Sequence, residues 1–160
     1  MSHLKFIVPG VIVLLSLVCY QVYQRGAFTF FSSSNVERVD AEEAFRMIST
    51  TDFTILDVRD ESEYDVSHLE GAIRYEEGLL EGLNANEPVM VYCTVGLRSN
   101  QLAKILEEEG FNQVVELQDG LIGWSNAELP LVNSRDNLTD SVHVYAQYFS
   151  ALLRGGTPVY

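Results

Sequence analysis

The chain has 160 residues, is 47% hydrophobic and carries 10 Lys and Arg against 23 Asp and Glu, a formal net charge of −13. That length allows one domain with a substantial core, and no period of roughly 20–50 residues recurs to suggest a solenoid. Every acidic residue falls after residue 25, where 23 acidic groups face 8 basic ones, which excludes a phosphate-neutralising nucleic-acid surface and disfavours lying flat on anionic lipid.

The first 25 residues differ from the rest. Nineteen consecutive residues from Phe6 to Gln24, "FIVPGVIVLLSLVCYQVYQ", carry no charge. As a helix rising about 1.5 Å per residue they span roughly 28 Å, close to the ~30 Å hydrocarbon core of a bilayer. We read 1–25 as a transmembrane anchor. A cleaved signal peptide is an alternative, although no A-x-A-like site follows. A lipoprotein signal at Cys19 is another, although "SLV" before it lacks the small residue such a signal wants. A buried core helix would show a polar face, and none runs through the segment. Lys5 before the span and Arg25 and Arg38 after it are too few to encode the side of the membrane.

"AFTFFSSSN" (27–35) reads as a linker. Asp40 and Glu43 form a D-x-x-E capping pattern that opens a helix over "AEEAFRMIS". "FTILDV" (53–58) predicts a buried strand, followed by a turn and short helix in "RDESEYDVSHLEG". "AIRY" (72–75) predicts a short strand, "EGLLEGL" a weak helical turn, and "PVMVYC" (88–93) a strand bounded by Pro88. In "RSNQLAKILEEEG" (98–110), Leu102, Ile105 and Leu106 share one helical face, and Gly110 sits where a C-terminal cap glycine belongs. "NQVVEL" (112–117) predicts another strand and "GLIGWSNA" a last short helix. The tail "SVHVYAQYFSALLRG" fits an amphipathic helix that covers part of the domain. Strands alternating with helices imply an α/β fold with a mainly parallel sheet, whose ligands sit beyond the carboxyl ends of the strands.

Cys93 lies at one of those ends. With Cys19 inside the apolar span, the two cysteines do not pair, and His3, His68 and His143 form no cluster with metal-ligand spacing. A free thiol titrates at about 8.5 and is only a few per cent thiolate at neutral pH. The loop "CTVGLR" runs into a helix N-terminus, whose unpaired N–H groups and dipole favour an anion by about 0.3–1 kcal/mol, up to about 2. Since one pKa unit is about 1.4 kcal/mol, the helix supplies roughly one unit, and the Arg98 cation adds to it if it faces the loop. Gly96 lets the backbone bend its N–H groups inward. The plainer reading is that Cys93 is a small buried apolar side chain. His68 is a candidate base or, more simply, a hydrogen-bonding residue that orders its turn. Trp124 reads as core and Asp57 as a structural acceptor. His143, Tyr145 and Tyr148 read as tail packing, with substrate contact as the alternative.

Four segments in order resemble the rhodanese-like (sulfurtransferase) family: "ILDVRDESEYDVSHLEGAI" (55–73), "VYCTVGLRS" (91–99), "LAKILEEEGFNQVVELQDG" (102–120) and "GLIGWSNAELPL" (120–131). The match covers about 36–132 and divides the chain into anchor (1–25), linker (26–35), rhodanese-like domain (36–132) and C-terminal extension (133–160). The resemblance implies about five mainly parallel strands with helices on both faces. It implies that Cys93 is the catalytic nucleophile, taking a sulfane sulfur from a small donor such as thiosulfate or a persulfide. The persulfide then passes its sulfur to cyanide or a thiol, with no cofactor or metal. Thr94, Val95, Gly96, Leu97 and Arg98 carry over as the loop cradling Cys93, mainly through backbone N–H groups. Asp57 and Arg59 match the Asp-Val-Arg triplet that organises structure around the site. The six residues from Cys93 to Arg98 are one fewer than in the related cell-cycle tyrosine phosphatases, which disfavours a phosphatase or arsenate reductase. A non-catalytic binding or scaffolding module at the membrane is the remaining alternative, opposed by the intact Cys93 and Arg98. The chain departs from the family at Ser67 and Asp119, where glycine is common.

Overall fold

The computed structural model describes residues 36–160. The predicted anchor and linker, 1–35, lie outside them, and among the described residues no helix is long and apolar enough to cross a membrane.

Five parallel strands form the central sheet in the order β1-β5-β4-β2-β3: β1 (Glu37–Val39), β2 (Thr54–Asp57), β3 (Ile73–Arg74), β4 (Val89–Tyr92) and β5 (Val114–Leu117). Parallel neighbours need crossovers, and these are α1 (Ala41–Thr50), α2 (Glu61–Val66), a 3-10 turn (Leu79–Gly82) and α3 (Ser99–Glu108). α4 (Gly120–Asn126) follows β5. Both faces are covered, so β4 is buried at every position and alternates between two cores. Met90 and Tyr92 face one core with α1, α4 and Trp124, while Val89 and Val91 face the other with Leu102, Ala103 and Leu106 of α3.

The predicted helix ends are present. Asp40 Oδ1 accepts the Glu43 N–H at 2.9 Å, although the Glu43 carboxylate turns to Arg46 and leaves that box half closed. At the end of α3, Gly110 is left-handed (φ 87°). Its N–H reaches Glu107 O at 3.1 Å and that of Phe111 reaches Leu106 O at 2.9 Å, a complete Schellman closure. Ser67 has extended backbone (φ −168°) and needs no glycine there. The fifth strand, β1, is one the sequence pattern did not mark: three residues at the sheet edge, two of them exposed.

The tail departs from expectation. In place of an amphipathic helix it forms β8 (Ser141–His143), a 3-10 turn (Gln147–Leu152) and β9 (Thr157–Val159), with β8 and β9 parallel, after a small antiparallel pair, β6 (Leu131–Val132) and β7 (Leu138–Thr139). Val142 and Val144, two residues apart, are both fully buried, which is a strand period. They join the core on the α1 and α4 side, with Phe149 and Leu153 packed against it. Val144→Ala should therefore lower stability by about 2 kcal/mol in urea unfolding, whereas an extension that merely rests on the surface would lose almost nothing.

Candidate active site

Cys93 follows directly after β4 and is the only free cysteine among the described residues, with 1% of its surface exposed. The loop folds back so that the Gly96 N–H donates to Cys93 Sγ at 3.1 Å. Gly96 has φ 83°, and a Cβ there would lie 2.1 Å from Gln118 O, so conformation and space both require glycine. The other side of the loop is fixed by α4, where the Leu121 and Ile122 N–H groups donate to the carbonyls of Cys93 (2.8 Å) and Thr94 (3.1 Å). This contact needs Gly120, whose added Cβ would lie 2.3 Å from Cys93 O. Leu97 points outward and is half exposed.

Arg98 does not present a bare cation to the sulfur. Its Nη1 and Nη2 each donate to the Glu63 carboxylate at 2.7 Å, and Nη2 also reaches Thr94 Oγ1 at 3.0 Å. Thr94 Oγ1 in turn donates to Glu63 Oε1 at 2.9 Å. Glu63 Oε2 also accepts the Asp60 N–H at 3.1 Å, which caps α2. Burial pushes the Glu63 carboxyl up, but the Arg98 hydrogen bonds and charge outweigh it and hold the group below the usual carboxylate range. Burial likewise opposes the Arg98 cation, and the Glu63 hydrogen bonds and charge more than offset it. Arg98 lies close enough to interact with Cys93, as the sequence left open, but its cation is shared with Glu63.

Asp57 and Arg59, at the end of β2, are fully buried partners. Arg59 Nε donates to Asp57 Oδ1 at 2.9 Å and Nη2 to Oδ2 at 2.5 Å, while Nη2 also caps Ser67 O at 2.6 Å. Burial works against the Arg59 cation, yet the Asp57 carboxylate raises it far above the ordinary arginine value. His68 is buried in the turn after α2: Nδ1 lies 2.9 Å from Tyr64 O, the ring stacks on Tyr64 at 3.8 Å, and the His68 backbone N–H donates to Val132 O at 2.8 Å. Trp124 is buried, with Nε1 donating to Pro130 O at 2.9 Å. Among the described residues no group of three or more His, Cys, Asp or Glu is placed to hold a metal ion.

Sequence reasoning missed three participants, Glu63, Ser99 and Glu116, and read Tyr145 as tail packing or substrate contact rather than as a partner of Arg98. Glu63 repeats the D-x-x-E pattern of Asp40 and Glu43, a signal that was there to be read. Ser99 Oγ lies 3.7 Å from Cys93 Sγ and 3.0 Å from Glu116 Oε1, and Glu116 is wholly buried. Tyr145, at φ 62°, places its ring 4.9 Å from the Arg98 guanidinium carbon. Glu63→Gln should cost about 2–3 kcal/mol at neutral pH, somewhat under a fully buried pair because Arg98 keeps some solvent contact. Because the folded carboxyl is depressed, its contribution is complete above the unfolded value of about 4.3 and is lost as pH falls through the folded one. The gap between wild type and variant in denaturant should therefore narrow below that pH.

Residues 40–127 match the family model described as Rhodanese-like domain. The thiosulfate sulfurtransferase GlpE of Coxiella burnetii is 34% identical over 86 residues, covering 51% of this chain and 80% of the relative. That of Actinobacillus pleuropneumoniae is 29% identical over 103 residues, covering 62% and 95%. A crystal structure of a protein from Anabaena sp. superposes with a TM-score of 0.54 at 30% identity, covering 59% of this chain and 80% of that one.

Proposed function

The chain belongs to the rhodanese-like domain family, and from that premise we propose that it is a sulfurtransferase that carries sulfane sulfur on Cys93. The observation that carries this reading is the Gly96 N–H held on Cys93 Sγ at 3.1 Å in a six-residue loop. A backbone donor fixed on the sulfur favours its anionic form without a general base. The thiolate attacks the outer sulfur of the donor. With thiosulfate, the bond to the sulfonate sulfur breaks, sulfite leaves, and Cys93 becomes the persulfide anion. With an alkyl persulfide, the alkyl thiolate leaves. A second nucleophile, cyanide or a thiolate, then takes the outer sulfur and returns Cys93 as thiolate. The loop backbone positions the sulfur, and Arg98, clamped by Glu63, positions the loop.

Incubation with thiosulfate followed by intact mass measurement should show a gain of one sulfur that is lost on reduction. Cys93→Ser should show none and should lose thiosulfate:cyanide activity while remaining folded. Activity that survives in that variant would overturn the assignment. A folded wild type that loads sulfur from neither thiosulfate nor a persulfide would favour the binding-module reading.

The proposal extends to location. The 19 uncharged residues from Phe6 to Gln24 support a single-pass anchor, with 26–35 as a short tether that raises the effective concentration of the domain near a membrane-held acceptor. The full chain should stay with membranes through salt and alkaline washes. A chain starting at Asn35 should be soluble and active. A mature N-terminus beyond residue 18, or full-length protein in the salt wash, would remove the anchor from the reading.

A further inference from the structure

A second buried carboxylate lies next to the loop, and the transfer mechanism does not use it. In β5, Glu116 alternates with Val115 and Leu117 and falls on the same face as Val114, which packs in the core beside α3. Alternation calls for an apolar side chain there. Instead Glu116 is 0% exposed, and Oε1 is 3.7 Å from where a Gly96 Cβ would stand. Its partners all donate: Ser99 Oγ to Oε1 at 3.0 Å, Asn100 Nδ2 to Oε2 at 3.1 Å, and Arg38 Nε to Oε2 at 3.0 Å. Both of its oxygens therefore act as acceptors.

This carboxylate opposes the nucleophile in two ways. Its charge disfavours a thiolate in the adjacent loop. It also takes the single hydroxyl hydrogen of Ser99, because a charged acceptor at 3.0 Å outcompetes the sulfur at 3.7 Å. The other charged groups around Cys93 are matched within themselves: Arg98 with Glu63 and Asp60, and Arg59 with Asp57. Asp119 stands exposed ahead of α4. Glu116 is paired with Arg38, which reaches in from the edge strand β1 with its side chain 48% exposed.

We propose that Arg38 is a positioning residue for Cys93: by pairing with Glu116 it offsets the charge with which that buried carboxylate opposes the thiolate. The inference deepens the sulfurtransferase reading, since ionisation of Cys93 and of its persulfide governs both half-reactions. It involves no proton transfer to Glu116; the thiol hydrogen leaves to buffer.

The test is the pH dependence of iodoacetamide labelling of the full chain, read on the Cys93-bearing peptide so that Cys19 does not contribute. Arg38→Gln should move the labelling midpoint up by about one pH unit, a roughly tenfold slower reaction at a fixed pH below the midpoint. Arg38→Lys should restore most of the rate. In a Glu116→Gln background, Arg38→Gln should have no further effect. An unchanged midpoint in folded Arg38→Gln, or the same shift in both backgrounds, would overturn the proposal. If Glu116→Gln does not fold, the comparison of Gln with Lys at position 38 decides. Labelling reads the thiol directly. A normal Arg38 effect in a protein that never loads sulfur would therefore uphold the charge pairing and overturn sulfur transfer.

Discussion

The site depends on the Glu63 carboxylate more than on any other single group. Four donors converge on it: the Asp60 N–H, the Thr94 hydroxyl and both terminal nitrogens of Arg98. Its first partner belongs to the turn after β2, and the others to the loop after β4. One side chain therefore caps α2 and ties together the loops at two adjacent strand ends. Burying a charge costs several kcal/mol unless its lone pairs are filled, and here they are filled by groups the site must hold still. Arg59 pins the other end of the same short helix through Ser67 O and is itself locked by Asp57. Loss of the Glu63 clamp would thus release α2 and the loop together.

The clamp has a chemical consequence. With Arg98 committed to Glu63, the donor held closest to the sulfur is backbone, the Gly96 N–H at 3.1 Å, with the Ser99 hydroxyl at 3.7 Å. Backbone donors cannot swing away, so they are already in place when charge develops. Their placement rests on two close approaches, Gly96 on Gln118 O and Gly120 on Cys93 O, neither of which leaves space for a Cβ. These contacts act at the sulfur itself, while the exposed acidic groups of the domain beyond about 8–10 Å are screened.

How much was legible in the sequence follows from where each signal resides. Strand β4 is buried on both faces, so it reads as the continuous run "VMVY". Helix α3 announces itself through the Leu102 and Leu106 spacing and Gly110, although Ile105, read on the same face, is 43% exposed. The rhodanese-like motifs located the loop and its glycine. Strand β1 is short, charged and at an edge, so it carries no hydrophobic period. In the tail, "VHVYAQYF" suits a helix or a strand, and only burial of Val142 and Val144 decides. The Asp60 and Glu63 pattern signals a helix cap at most, and nothing local points to Glu63's second partner, Arg98, 35 positions away. Glu116 carried no signal of its own, because Arg38 and Ser99, which make it tolerable in an apolar strand, come from other elements.

The extension matters to the site although it lies outside the matched region. Val142 and Val144 anchor it in the core, and the left-handed backbone at Tyr145 turns that ring over Arg98. At 56% exposure the ring adds only about 0.5–1 kcal/mol as a cation–π contact, too little to explain an unfavourable φ by stability alone. What the contact changes is the face the loop presents. The guanidinium is held along its terminal nitrogens by Glu63 and Thr94 and is covered on its face by Tyr145, with Leu97 exposed in the same loop. The loop therefore presents an aromatic ring beside Arg98 rather than a bare cation, so its outer face is more apolar than the Arg98 charge alone implies.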